Sequence, residues 1–449
     1  MLASLPLLTT FLAVLTPLRA CFPRRATFEN FVAVMFGWVM AQGTGTVSSA
    51  LVAGDLTGSK HWSAFYRLFS RGSWCIDALG LKVAELLVAR FVPDGTIVLA
   101  VDDTLHAKGG KNVFGAGTHH DPLTSTRTRA QFQFGHCWVT LALVVTLPFS
   151  RHPRALPFLF RLNIPKKMAE KWDIQHAKKT SLAGELLKLV AARFPSRAIR
   201  VVNDNVYSCE TLLKTLPANI NMVGRLNLEA ALHDPLLPRE EGESKMGRPR
   251  TWGKRRPTPK QEAEGDTPWQ EHRVRIYGRD VTVRAKTWTA YWASGGPNRL
   301  LRCVVVWRPN GKYPYEAFFS TDPDLPVGEI LQEYAKRWSI EVCFHETKAS
   351  IGVDHPQCWT RAAVERTAPT AMLLSSLVVL WYADHGHQSP AATWPRRPWY
   401  SRKTTPSFED MIATLRRASL HPGLSGRADA GRDDEKVAGA LERWFREAS

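Results

Sequence analysis

Tyr334, Arg337, Glu341 and Lys348 form a charged run in the C-terminal third of the chain. On a helix turning ~100° per residue they fall at about 0°, 300°, 340° and 320°, so all four share one face. An acid flanked by a guanidinium, an ammonium and a phenol suits a place where a cation and phosphates are held together. The carboxylate binds the cation and the donors bind phosphate oxygens. Taken alone, the spacing favours a solvated helix carrying an ion pair, because Arg337 and Glu341 are four apart. Glu346 falls at about 120°, so only one of the two glutamates can share the Tyr-Arg-Lys face, and Glu341 is the one that does; His345, at about 20°, shares it too.

A site for divalent cations needs further acids, and two apolar runs end in them. Thr96-Ile-Val-Leu-Ala-Val-Asp102-Asp103 and Ala198-Ile-Arg-Val-Val-Asn-Asp204 both read as strands with carboxylates at their C-terminal ends. Alternation along the first strand leaves open which of Asp102 and Asp103 faces the site. With these residues in place, the spacing Tyr-x(2)-Arg-x(3)-Glu-x(6)-Lys is met without a gap. The chain resembles the DDE transposases of bacterial insertion sequences that carry this signature, from about Phe28 onward.

The resemblance implies catalytic and metal-binding roles for Asp102, Asp204 and Glu341, and DNA contacts for Tyr334, Arg337 and Lys348. It favours Asp102 over Asp103 as the first acid, because the acid in the family precedes a Thr pair or similar. Asn205-Val206-Tyr207 departs from the family pattern, which has an arginine after the second acid.

The elements that must position these acids follow in order. Residues 1–93 read as a helical N-terminal DNA-binding domain. Phe28, Phe31, Val32, Met35 and Val39 form one apolar stripe with Thr27 as the cap, and His61-Trp62 through Arg71 pairs aromatics with arginines. Residues 94–226 supply three strands, a helix, a strand, a helix and a strand, the order of an RNase H-like core. Residues 227–322 form a β-rich insertion, with a basic mobile loop between Leu237 and Gln270. Within that loop, Gly247-Arg-Pro-Arg250 reads as solvated linker rather than a minor-groove hook. Residues 323–385 carry the key helix, and 386–449 form a C-terminal helical region suited to dimerisation. The fold class expected is therefore α/β, an RNase H-like catalytic core with a β-rich insertion, preceded by an all-α domain. In the relatives a tryptophan of the insertion helps flip a base; Trp288 and Trp307 occupy that region, and a core role fits both better.

Composition agrees with a polyanionic partner. The 449 residues are 44% apolar and carry a formal net charge of +18, which points to nucleic acid before a membrane surface. Seven dispersed cysteines form no Cys-x-x-Cys pair, so no disulfide framework or zinc site is expected and a reducing cytoplasm is the expected location, with nucleoid association implied by the resemblance. The apolar opening before Cys21 has no preceding positive charge, which argues against an export signal. Gly110 to Gly115 has Walker spacing, yet Ala116 and Gly117 stand where Lys and Ser/Thr belong, so nucleotide hydrolysis is not implied. His119 and His120 are read as solvated or phosphate-facing, and Ala371 to Tyr382 as a buried helix.

The resemblance implies a transposase using Mg²⁺, with Mn²⁺ as a substitute. Its partners would be DNA, at terminal inverted repeats and target, and a second copy in an end-paired homodimer. Two other functions stay in view: an RNase H-like nuclease or resolvase, which would use the same acids without strand transfer, and a DNA-binding protein that has lost catalysis, which the intact acids argue against.

Overall fold

The computed structural model describes residues 9–122, 124–126, 128–150, 152–236, 251–276, 278–295, 299–308, 314–389 and 403–420. The chain opens in helices. α1 (Thr9–Leu15) runs into a 3₁₀ turn to Cys21, and Phe11, Leu15 and Leu18 are buried. α2 (Arg25–Met40) carries the expected stripe, but Ala33, Val34, Phe36 and Trp38 are buried as well. It is a wrapped core helix rather than an amphipathic one. It also starts at Arg25, with Arg24 as an extended N-cap and not Thr27. α3 (Val47–Ala53) is capped by Thr46, whose hydroxyl accepts from Ser49 N at 3.0 Å. α4 (Ser63–Ser70) buries Phe65 and leaves Trp62, just before it, exposed. α5 (Ile76–Phe91) then leads to the sheet.

β1 (Ile97–Ala107) continues five residues past Asp102, so this acid lies within a strand rather than at its end. β2 (Gly117–His120), β3 (Phe132–Thr146) and β4 (Pro153–Asn163) follow, and β3 runs antiparallel to all three neighbours. After α6 (Lys166–Lys171) and α7 (Lys179–Arg193), β5 (Ile199–Asn203) joins the other edge of β1 in parallel. α8 (Glu210–Thr215) crosses over to β6 (Ile220–Leu226), parallel to β5. The spatial order β4-β3-β1-β5-β6, antiparallel then parallel, is that of an RNase H-like core.

The insertion extends this sheet. Its elements are β7 (Leu232–His233), α9 (Pro259–Glu264), β8 (Gln270–Ile276), β9 (Arg279–Trp292), β10 (Leu300–Trp307) and β11 (Tyr315–Ser320). β11 pairs antiparallel with β6, Ala317 opposite Leu226 through Ser320 opposite Val223, making one sheet of eleven described strands. The loop expected from Leu237 to Gln270 is therefore not loop throughout. α9 is held by a capping box between Thr258 and Gln261, and Lys286, 2% exposed, donates to the carbonyls of Glu262, Ala263 and Gly265 at 2.9, 3.0 and 2.8 Å. A buried ammonium with three acceptors is satisfied, which explains why a lysine is tolerated there. Residues 237–250, including Gly247 to Arg250, and the basic stretch 390–402 lie outside the described residues.

α10 (Val327–Lys336) and α11 (Trp338–Ile351) are the run expected as one helix. A break at Arg337 divides them: Arg337 N donates to Tyr334 O at 3.0 Å, and Ile340 N to Arg337 O at 3.1 Å, so the turn tightens to i+3 spacing. α12 (Arg361–Asp384) is the spine on which α1, α4, α5, α13 (Phe408–Leu420) and β4 pack. It is the one described helix long and apolar enough to cross a membrane, and 89% of its apolar window is buried in the protein. Each large apolar side chain it buries contributes about 1.5–3 kcal/mol.

α11 ends at Gly352, in the left-handed region at φ 72°, against the loop joining α2 and α3. A Cβ there would lie 2.4 Å from Gly43 O and 2.5 Å from Gly45 N. Gly352→Ala is expected to cost about 2 kcal/mol from backbone strain and overlap. Chemical denaturation reads this directly; an unchanged midpoint would mean that the two segments do not cross this closely.

Candidate active site

The parallel pairing of β1 and β5 ends at Val101 opposite Asn203. One residue further along each chain stand Asp102 and Asp204, next to each other where the two strands part. Burial, and then the negative charges of Asp204 and Asp103, push the Asp102 carboxyl up to about 7. Burial also raises Asp204, against the pull of backbone N–H groups from Val206 and Tyr207 and the charge of Arg337. Those N–H groups reach Asp204 Oδ1 at 2.9 and 3.4 Å, folding the acid into a turn after the strand.

Arg337, at the break between α10 and α11, completes the arrangement. Its Nη1 lies 2.7 Å from Glu341 Oε1 and 3.4 Å from Asp102 Oδ2. One guanidinium nitrogen thus stands between the carboxylates of the helix and the strand. Burial alone would depress the arginine, but Tyr334, Glu341 and Asp102 outweigh it. Tyr334 packs on Phe318 with ring centroids 4.7 Å apart and lies under the guanidinium of Arg337. Lys348 points back to β1 and donates to Leu105 O at 2.9 Å; burial lowers its pKa. Glu346 faces elsewhere, paired with Arg154 at 2.6 Å.

Asp103 turns from Asp102 to a different set of partners. Lys179 Nζ lies 2.6 Å from its Oδ2, Cys137 Sγ 3.2 Å from the same atom, and the Tyr207 hydroxyl donates to Oδ1 at 2.9 Å. The sequence marks Tyr207 only as part of a departure from the family pattern, and gives Lys179, Cys137 and the fully buried Asn203 no role here. Asn203 and Ser208 hold the Asp204 carbonyl at 2.7 and 3.0 Å. The Asn-Asp-Asn-Val-Tyr-Ser composition after an apolar strand was the available signal for such a side-chain-bonded turn.

His119 corrects the sequence reading. It is 7% exposed rather than solvated, and burial lowers its pKa to about 4, while His120 is exposed and bonds Ser125 at 3.0 Å. Of the two insertion tryptophans, Trp288 packs partly buried against the core. Trp307 is exposed under the guanidinium of Arg284, 4.6 Å from its ring centroid, and with Tyr334 lines a groove of about 730 Å³.

The residues suit hard divalent cations. Arg337 contacts the carboxyls of Asp102 and Glu341, Lys179 contacts that of Asp103, and Asp204 stands beside Asp102. An acid raised toward neutrality by burial and by neighbouring carboxylates is one a cation would return to its ionised form. Oxygen donors alone favour magnesium or manganese over zinc. Among the described residues no three His, Cys, Asp or Glu side chains are gathered closely enough to hold an ion as they stand. Glu341 would first turn from Arg337.

The sequence matches the DDE superfamily endonuclease family over residues 17–294, well over half of the chain. The protein belongs to that family. The match spans both aspartates and ends before Glu341. No curated protein matches the sequence. Among solved structures, this DDE-family chain is similar to the piggyBac transposase of a cryo-EM synaptic complex with hairpin DNA, at 10% identity over 92% of this chain and 77% of that one. The TM-score of 0.41 is too low for that likeness to bear on the site.

Proposed function

We propose that this DDE-family endonuclease is a transposase of the insertion-sequence type, cutting the ends of its element and joining them to target DNA. The observation that carries the reading is the meeting of Asp102 and Asp204 beside the parting strands, with Glu341 reached through Arg337. Asp102, Asp204 and Glu341 would hold two Mg²⁺, or Mn²⁺ in their place. Bound there, the ions supply an activated attacking oxygen and stabilisation of the leaving 3′ oxygen. The chain's own part is to fix the acids on a sheet and a helix, and to bring cations to the phosphate. Arg337 and Tyr334 lie beside the acids. Lys348 spends one of its three donors on Leu105 O and keeps two for a phosphate. A homodimer would pair the two ends.

Lys348→Ala is expected to weaken binding of pre-cleaved ends about 5- to 10-fold and to reduce the salt slope by about one. Nicking of uncut ends should change less; equal losses in both assays would count against a phosphate clamp.

The competing reading is a nuclease or resolvase without strand transfer. Incubating pre-cleaved end DNA bearing a free 3′ hydroxyl with a supercoiled plasmid and Mg²⁺ separates the two. Covalently joined end and plasmid is the expected product; plasmid nicking with no joined end would replace the transposase reading with the nuclease.

A further inference from the structure

Asp103 and Tyr207 have no part in the chemistry just described, yet they are tied to both strand acids. The backbone N–H of Asp103 donates to Asp102 Oδ1 at 2.8 Å, and the backbone N–H of Tyr207 to Asp204 Oδ1 at 3.4 Å. The side chains of those same two residues bond each other, Tyr207 hydroxyl to Asp103 Oδ1 at 2.9 Å. Asp102, Asp103, Tyr207 and Asp204 are therefore joined in one chain of contacts between two segments about a hundred residues apart. Tyr207 is fully buried, so its hydroxyl has no water to fall back on.

We propose that Asp103 and Tyr207 are positioning residues that set the separation and orientation of the Asp102 and Asp204 carboxylates for divalent cations. The proposal rests on the catalytic reading of Asp102 and Asp204. Both oxygens of Asp103 are occupied, Oδ1 by Tyr207 and Oδ2 by Lys179 and Cys137, so Asp103 is an anchor rather than a cation ligand. Lys179, at the first turn of α7, neutralises it. Without such a tie, two neighbouring carboxylates would swing apart before a cation arrives, and the cation would have to reorganise them. Partners behind metal ligands typically account for 10–100-fold in affinity or activity.

Tyr207→Phe removes one oxygen and keeps the ring in its slot. In the full-length protein with end DNA, Mn²⁺ affinity read by electron paramagnetic resonance should fall about tenfold. The Mn²⁺ or Mg²⁺ concentration giving half-maximal nicking should rise by a similar factor, with the rate recovering at high cation. Asp103→Asn should move both readouts the same way; if it leaves Lys179 uncompensated and fails to fold, Tyr207→Phe still decides. Unchanged Mn²⁺ affinity in Tyr207→Phe, with only a lower melting temperature, would reduce the tyrosine to packing and overturn the proposal. Asp102→Asn serves as the control for the parent reading. If it binds Mn²⁺ and nicks as wild type does, the catalytic assignment falls; if it loses both while Tyr207→Phe keeps both, only the positioning role falls.

Discussion

Asp204→Asn should lower cleavage of element ends by at least about 1,000-fold, because a lost charged ligand removes several kcal/mol of transition-state stabilisation and each 1.36 kcal/mol is tenfold. Asp102→Asn and Glu341→Gln should do the same. Binding of uncut end DNA should stay within about threefold of wild type, since in the proposed site these acids would serve the cations rather than the phosphate backbone. The amide keeps the size and most hydrogen bonds of each carboxylate, including those Asp204 accepts from Val206 and Tyr207, so folding is preserved. Gel-shift and nicking assays on the same preparations separate the two effects. A variant that cuts at the wild-type rate would remove its residue from the site.

The second expectation concerns the protein stripped of divalent cations. Asp102 is held at about 7, far above its ordinary 3.8. Between those values the native state keeps a proton that the unfolded chain has already released. Stability is therefore full below about pH 4 for this group and is lost as pH rises through 7. The shift corresponds to at most ~4 kcal/mol. Asn carries no charge at any pH, so in EDTA at pH 8 Asp102→Asn should melt above wild type, by about 5 °C for an effect of this size. At pH 4 the gap should close. Adding Mg²⁺ at pH 8 should raise the wild type and leave the variant unmoved. A pH-independent gap between the two proteins would show that Asp102 does not bear the burial and like-charge penalty assigned to it.

The strands and their order could be read from apolar runs and turn residues, because a buried strand leaves a short, dense signature. The Asp102–Asp204 pair was legible for the same reason: both acids interrupt such runs. Asp103 was not distinguishable from Asp102, since adjacency fixes opposite faces but not which face matters. Its partners Lys179, Cys137 and Tyr207 come from three other segments, and no local pattern announces them. The break at Arg337 was hidden as well. Every residue from Tyr334 to Lys348 tolerates a helix, and the tightened turn arises where Arg337 leaves the regular path to touch two acids. α2 misled in the opposite direction: its apolar stripe is real, but its polar side had to be inferred, and helices from distant parts of the chain cover it. The helix α9 escaped notice inside a basic, proline-rich stretch because its anchor, Lys286, lies on a strand twenty residues later.

The pairing of β11 with β6 gives the inserted region a mechanical character that a tethered module would lack. Backbone hydrogen bonds run without interruption from the strand carrying Trp307 to the one preceding Asp204. In the proposed transposase, a duplex lying against Arg284 and Trp307 would thereby be held at a set distance from Asp204, as by the marks of a ruler. Changing where the protein cuts would then mean lengthening or re-registering strands, and loop flexibility alone would not do it.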